Sequence, residues 1–234
     1  MTKTDEDRTE TRTAFGRWLH EHALFLVCMA IFLLCLAGMA VSGFLVYNEE
    51  QSSHATAPIP FGDYLSSGHF IEATFENWES EFLQMGAYVV LTVFLFQKGS
   101  SESKPIGKHT EQDDDPRHAE VGPDTPWPVR RGGLVLVLYE NSLAIFFFVL
   151  FGLSFWFHAV GGAEAYSEEQ LEHGLPAVST IEFLGTSQFW FESMQNWQSE
   201  FLAVAAIVGA SVYLRQRGSP ESKPVATPHH ETGA

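Results

Sequence analysis

Cysteine and basic side chains are scarce in this sequence. Two cysteines in 234 residues exclude a disulfide-stapled scaffold and a thiolate zinc site. Thirteen Lys and Arg stand against 29 Asp and Glu, a formal charge of -16, and the basic residues form no stripe. That balance excludes nucleic acid as a partner. No nucleophile motif and no phosphate-cradling glycine loop is present, so the chain reads as non-enzymatic and no cofactor is expected. Long apolar runs, by contrast, are abundant. The mean hydropathy of -0.01 averages very apolar blocks with very acidic loops, and a disordered acidic protein would lack the blocks.

Ala23 to Tyr47 is 25 residues without a charge. A second block runs from Leu143 to Val160, and shorter ones from Phe82 to Phe96 and from Phe201 to Leu214. A bilayer crossing takes about 20 apolar residues. In hydrocarbon each backbone amide must be paired internally, so the blocks are expected to be helices. The fold class is therefore all-α, integral membrane, with four transmembrane helices. The stretch Ala37-Gly38-Met39-Ala40 faintly resembles a signal-cleavage site, but the leader before the first block carries Asp5, Glu6, Asp7 and Glu10.

A 119-residue offset places Glu21–Pro105 on Glu140–Pro224 without a gap, and 31 of 85 positions are identical. Asn77-Trp78-x-Ser80-Glu81-Phe82-Leu83 falls on Asn196-Trp197-x-Ser199-Glu200-Phe201-Leu202. Gly99-Ser100-x-Glu102-Ser103-Lys104-Pro105 falls on Gly218-Ser219-x-Glu221-Ser222-Lys223-Pro224. Tyr47-x-Glu49-Glu50-Gln51 matches Tyr166-x-Glu168-Glu169-Gln170. Each unit reads as helix, outer loop, helix. The expected architecture is two tandem helical hairpins, as parallel repeats about an axis along the membrane normal. The boundaries are a cytoplasmic tail at 1–20, a first two-helix repeat at 21–98, a flexible cytoplasmic linker at 99–132, a second repeat at 133–217 and a tail at 218–234. The paired Asn-Trp-x-Ser-Glu-Phe-Leu and Gly-Ser-x-Glu-Ser-Lys-Pro blocks resemble a family of small bacterial membrane proteins of unknown function. The resemblance implies the bacterial inner membrane and carries no activity or catalytic residue with it.

Every Lys and Arg lies before residue 18, between 98 and 131, or after 214. The loops 47–81 and 159–200 hold none, and each holds seven carboxylates. The positive-inside rule then predicts a multi-pass inner-membrane protein with both termini and the linker in the cytoplasm. Residues 225–234 read as a solvated tail. Gly99 and Gly218 read as helix stops after cationic last turns.

Trp78, Trp197 and Trp127 are expected interface anchors. Glu81 and Glu200 sit three residues inward of the first two, each sharing a helical face with Asn77 or Asn196. Intramembrane carboxylates are costly, so the pair is a candidate site for a shared proton or a bound cation. The plainer reading is that each locks the repeat interface near the headgroups. Glu50 and His54, like Glu169 and His173, are four residues apart, which suits a zinc or manganese site. A competing reading makes Asn48 or Ser167 the N-cap of a short helix with Gln51 or Gln170 at its third position. Gly38/Ser42, Ala205/Gly209 and Ala206/Ala210 are small-residue pairs that permit close helix contacts. His158 has no partner assignable from sequence.

Two functions remain. The first is a non-enzymatic membrane scaffold or envelope component, with acidic outer loops open to a partner or to loosely held cations. The second is a small-cation or proton pathway between the repeats, which would call for a homo-oligomer because four helices enclose only a thin pore. The lipid bilayer is the expected partner of both.

Overall fold

The computed structural model describes residues 14–54 and 56–233. The tail read over residues 1–13, with Lys3, Arg8 and Arg12, lies outside the described residues. Among the described residues the regular structure is helical, with no strand. The chain forms two compact units, one ending at Ser66 and one beginning at Ser67.

In the first unit, α1 (Ala14–Glu21) and α2 (Ala23–Ser53) are separated by a break at His22, with φ -109° and ψ 8°. The uncharged block forms α2, which then runs on through Asn48–Gln51 rather than stopping and restarting there. Asn48 is thus not an N-cap. Its amide instead binds both backbone groups of Ile59, accepting from N at 2.8 Å and donating to O at 3.1 Å. That bridge folds the loop back and leads into α3 (Phe61–Tyr64). Tyr64, 1% exposed, lies over Gly43, where a Cβ would come within 2.2 Å of the phenol oxygen.

In the second unit, α4 (Gly68–Phe94) lies along α7 (Ser142–Glu172), and α9 (Ser187–Ala210) packs on α4. Short helices α5 (Trp127–Arg131) and α6 (Gly133–Glu140) precede α7, and α8 (Thr180–Phe183) precedes α9. The backbones of α4 and α7 approach closely. A Cβ on Gly161 would stand 2.5 Å from Glu72 N, and one on Gly68 would stand 2.7 Å from Ala165 N. Gly38 and Gly209, from the small-residue pairs, face open space instead. Ala159, Ala163, Phe183 and Phe189 form the buried core, flanked by Phe155, Tyr166 and Val178.

Local geometry recurs at the 119-residue offset. Asn141 breaks α6 from α7 with φ -111° and ψ 5°, as His22 does earlier. Ser167 Oγ accepts from Val178 N at 3.0 Å and donates to its O at 3.1 Å, where Asn48 binds Ile59. Phe183 covers Gly162 as Tyr64 covers Gly43. Ser67 and Thr186 cap the following helices through Phe70 N and Phe189 N.

The return helices end at Phe94 and Ala210, before the glycines expected to stop them. Gly99 (φ +86°) and Gly218 (φ +87°) instead sit inside the turns 97–100 and 216–219, whose backbone suits glycine. The segment read as a flexible linker contains short 3-10 turns at Glu111–Asp113 and Pro116–His118, with Lys104 2.5 Å from Asp113. The C-terminal residues read as a solvated tail fold back. Gly99 N donates to Thr232 Oγ1 at 2.9 Å, and Gly233 N to Ser100 O at 3.0 Å. Lys223, 1% exposed, donates to the carbonyls of Pro228, His229 and Glu231, which satisfy its buried ammonium.

Two helices, α2 and α7, are long and apolar enough to cross a membrane. Only 6% and 17% of their apolar windows are buried, whereas the core helix of a water-soluble protein hides most of such a face. The return helices α4 and α9 carry the polar motif in their N-terminal halves and fall short of that composition.

Candidate functional site

Three helices of the second unit converge on a buried polar cluster. Helix α4 supplies Glu72, Glu76 and Glu79, whose spacings of four and three put them on one face. Helix α7 supplies His158, and α9 supplies Glu192, Asn196 and Trp197. The His158 and Glu79 side chains are fully buried. His158 Nδ1 lies 2.8 Å from Glu79 Oε2, which places a proton on Nδ1. The other carboxylate oxygen of Glu79 accepts from the indole N–H of Trp197 at 2.9 Å. His158 Nε2 faces Glu192 Oε2 at 3.4 Å, and the ring stacks on Phe189 at 4.7 Å.

The remaining carboxylates are also held. Gln188 donates to Glu192 Oε1 at 2.5 Å. The Asn196 amide donates to Glu76 and, at 3.2 Å, to the backbone carbonyl of Glu192. Gly162 leaves room for Glu72, since a Cβ there would stand 2.9 Å from Glu72 Oε1. Glu72, His158 and Glu192 each bring one ligand-type atom within 4.8 Å of the others. Among the described residues, they are the one group of three such side chains to converge in this way. Beside Glu192, Ser193 Oγ is buried without a hydrogen-bond partner among the described residues. Four carboxylates around one imidazole, when all ionised, leave negative charge uncompensated in a setting that disfavours it, a charge that protons or a cation would neutralise.

The residues singled out from the repeat fare unequally. Asn196 and Trp197 belong to the cluster, but Asn77 turns back to the Ala73 carbonyl, and Trp78 meets Phe75 edge-on at 5.1 Å. Glu81 is exposed and Glu200 half-buried. The charge of Glu200 acts on Glu81, and one turn further Gln84 donates to the Glu200 backbone carbonyl at 2.9 Å. Trp127 is exposed. Glu50 and His54 lie at the C-terminal end of α2, joined by the backbone bond from His54 N to Glu50 O. His173 Nδ1 donates to the backbone carbonyl of Glu169 at 2.8 Å, not to its carboxylate. The sequence reading named His158 without a partner and did not single out Glu72, Glu76, Glu79 or Glu192. A signal for three of them was there: Glu72, Glu76 and Glu79 share one helical face in a segment free of Lys and Arg.

A family described as Domain of unknown function (DUF6766) matches residues 15–234. The chain belongs to this family. No curated protein and no solved structure matches it. All seven cluster residues of this DUF6766 member lie within the matched span.

Proposed function

We propose that this DUF6766 member is a non-enzymatic, multi-pass protein of the bacterial inner membrane that binds and conducts a small cation through the Glu–His cluster. In this reading α2, α4, α7 and α9 all cross the bilayer as two parallel hairpin repeats, with both termini and residues 98–131 in the cytoplasm. The carrying observation is the fully buried His158 side chain, with Glu79 and Glu192 at its two nitrogens and Glu72 close by. Ionisable groups within a membrane helix mark ion paths by default. In this reading His158, sixteen residues past Ser142 and about 24 Å along α7, lies toward the outer face. The acidic outer segments would concentrate cations near its mouth. Oligomerisation of the chain would widen the path.

A second reading is the membrane scaffold. It is favoured by the protein partners that Glu76, Glu79 and Glu192 already have, which tie three helices together. The test is cation flux into vesicles containing the purified protein, using Na+, K+, Mn2+ and Zn2+ in turn. Flux of at least one ion is expected, reduced tenfold or more by Glu192→Gln. No flux with any ion from correctly folded wild-type protein overturns the conduction reading and leaves the scaffold.

A further inference from the structure

The geometry points to a specific occupant of the cluster: a first-row transition dication of the zinc or manganese kind, ligated by Glu72, His158 Nε2 and Glu192. This deepens the conduction reading and rests on the same cluster. The first observation is the contact between His158 Nε2 and Glu192 Oε2. At 3.4 Å it is long for a hydrogen bond between an imidazole and a carboxylate. It is, however, the separation of two ligands on one metal, since bonds of about 2.1 Å at the tetrahedral angle put their ends about 3.4 Å apart.

The second observation is the support behind the imidazole. Glu79 takes the Nδ1 proton at 2.8 Å, which leaves the Nε2 lone pair directed away from it. Trp197 fixes Glu79 in turn, at 2.9 Å. Metal-bound histidines are held in this way, with a carboxylate on the distal nitrogen raising the basicity of the ligand.

The third observation is the convergence itself. Glu72, His158 and Glu192 each bring one ligand-type atom within 4.8 Å of the others. Two carboxylates and one imidazole suit zinc or manganese; calcium and magnesium prefer an all-oxygen shell. Glu79 is a positioning residue here, acting through the ring of His158.

The test is metal analysis and Mn2+ paramagnetic resonance on purified full-length protein, with thermal unfolding recorded with and without added Zn2+ and after chelation. One Zn2+ or Mn2+ per chain is expected, with a melting temperature that rises on metal addition and falls on chelation. Glu72→Gln and Glu192→Gln should weaken binding at least a hundredfold, and Glu79→Gln ten- to a hundredfold. Glu81→Gln, outside the cluster, should bind as wild type does. No zinc or manganese on the wild-type protein, with no chelator-sensitive melting shift, overturns the inference. So does wild-type affinity in Glu72→Gln and Glu192→Gln. Tight metal binding without flux refutes conduction and keeps the site, whereas Na+ or K+ flux without transition-metal binding does the reverse.

Discussion

Replacing Gly161 by alanine tests the helix crossing that positions the cluster. The new Cβ would lie 2.5 Å from Glu72 N, 2.8 Å from Ile71 Cγ2 and 3.0 Å from Gly68 O. Two of those atoms are backbone and cannot rotate away. Ordinary contact begins at 3.4 Å, so α4 and α7 must separate by about 0.9 Å at this point. A gap of that size forfeits roughly a quarter to a half of the dispersion energy between the facing atoms. Overpacking of this kind costs about 1–3 kcal/mol. Gly152 is the internal control, since it lies on the same helix with nothing within 4 Å of its Cβ position. Gly152→Ala should be neutral or stabilising by up to about 1 kcal/mol through helix propensity. Thermal and denaturant unfolding in one detergent would compare the two. Equal stability of Gly161→Ala and Gly152→Ala would falsify the crossing.

Trp197→Phe leaves one oxygen of the buried Glu79 without its donor and should cost about 1–3 kcal/mol, read by the same unfolding measurement; an unchanged midpoint refutes the bond. His158→Leu strips Glu79 and Glu192 of their common partner and should cost about 3–5 kcal/mol, far more than Met39→Leu at the equivalent position of the first repeat; equal costs would count against the cluster. The backbone N–H of Ser179, joined by its hydroxyl, holds the Glu182 carboxyl below its usual range. Its contribution is therefore full above the ordinary carboxylate pKa and is lost as pH falls through the lowered value, so the protection of amides 180–184 against exchange, taken relative to their intrinsic rates, should fall in acid, and Glu182→Gln should abolish that dependence. Thr110→Cys, in a chain with Cys28 and Cys35 replaced by alanine, should resist impermeant thiol reagents applied outside intact cells; labelling there would refute a cytoplasmic linker.

The two long apolar helices were legible in the sequence because length without charge suffices to identify them. The return helices begin at Gly68 and Ser187, capped by Ser67 and Thr186, which the sequence reading did not name. Nor was the cluster legible, and the reason is specific. The sequence reading gave weight to residues that the repeat duplicates. The cluster is built from residues it does not: Glu72 pairs with Phe191, Glu76 with Gln195, Glu79 with Gln198, Ala73 with Glu192 and Met39 with His158. Asn196 and Trp197 are duplicated, yet only the second copies reach the carboxylates. Shared residues fix the local turns and caps of each copy, while the divergent ones carry the charge. Likewise, Asn48 and Ser167 looked like caps because the sequence cannot show that a side chain will bridge eleven residues forward.

The bonds from Gly99 and Ser100 to Thr232 and Gly233 have a consequence for synthesis. The partners are separated by 133 positions, so the first pair has emerged from the ribosome long before the second exists. At about 5–20 residues per second the wait is roughly 7–27 s. Helix α4 waits through the whole interval, α7 is complete 60 residues before Thr232 and α9 only 22 residues before it. The clasp therefore cannot guide the pairing of α4 with α7; it can only retain an arrangement already reached, and deleting residues 225–233 should shorten the lifetime of the folded state more than it lowers its yield.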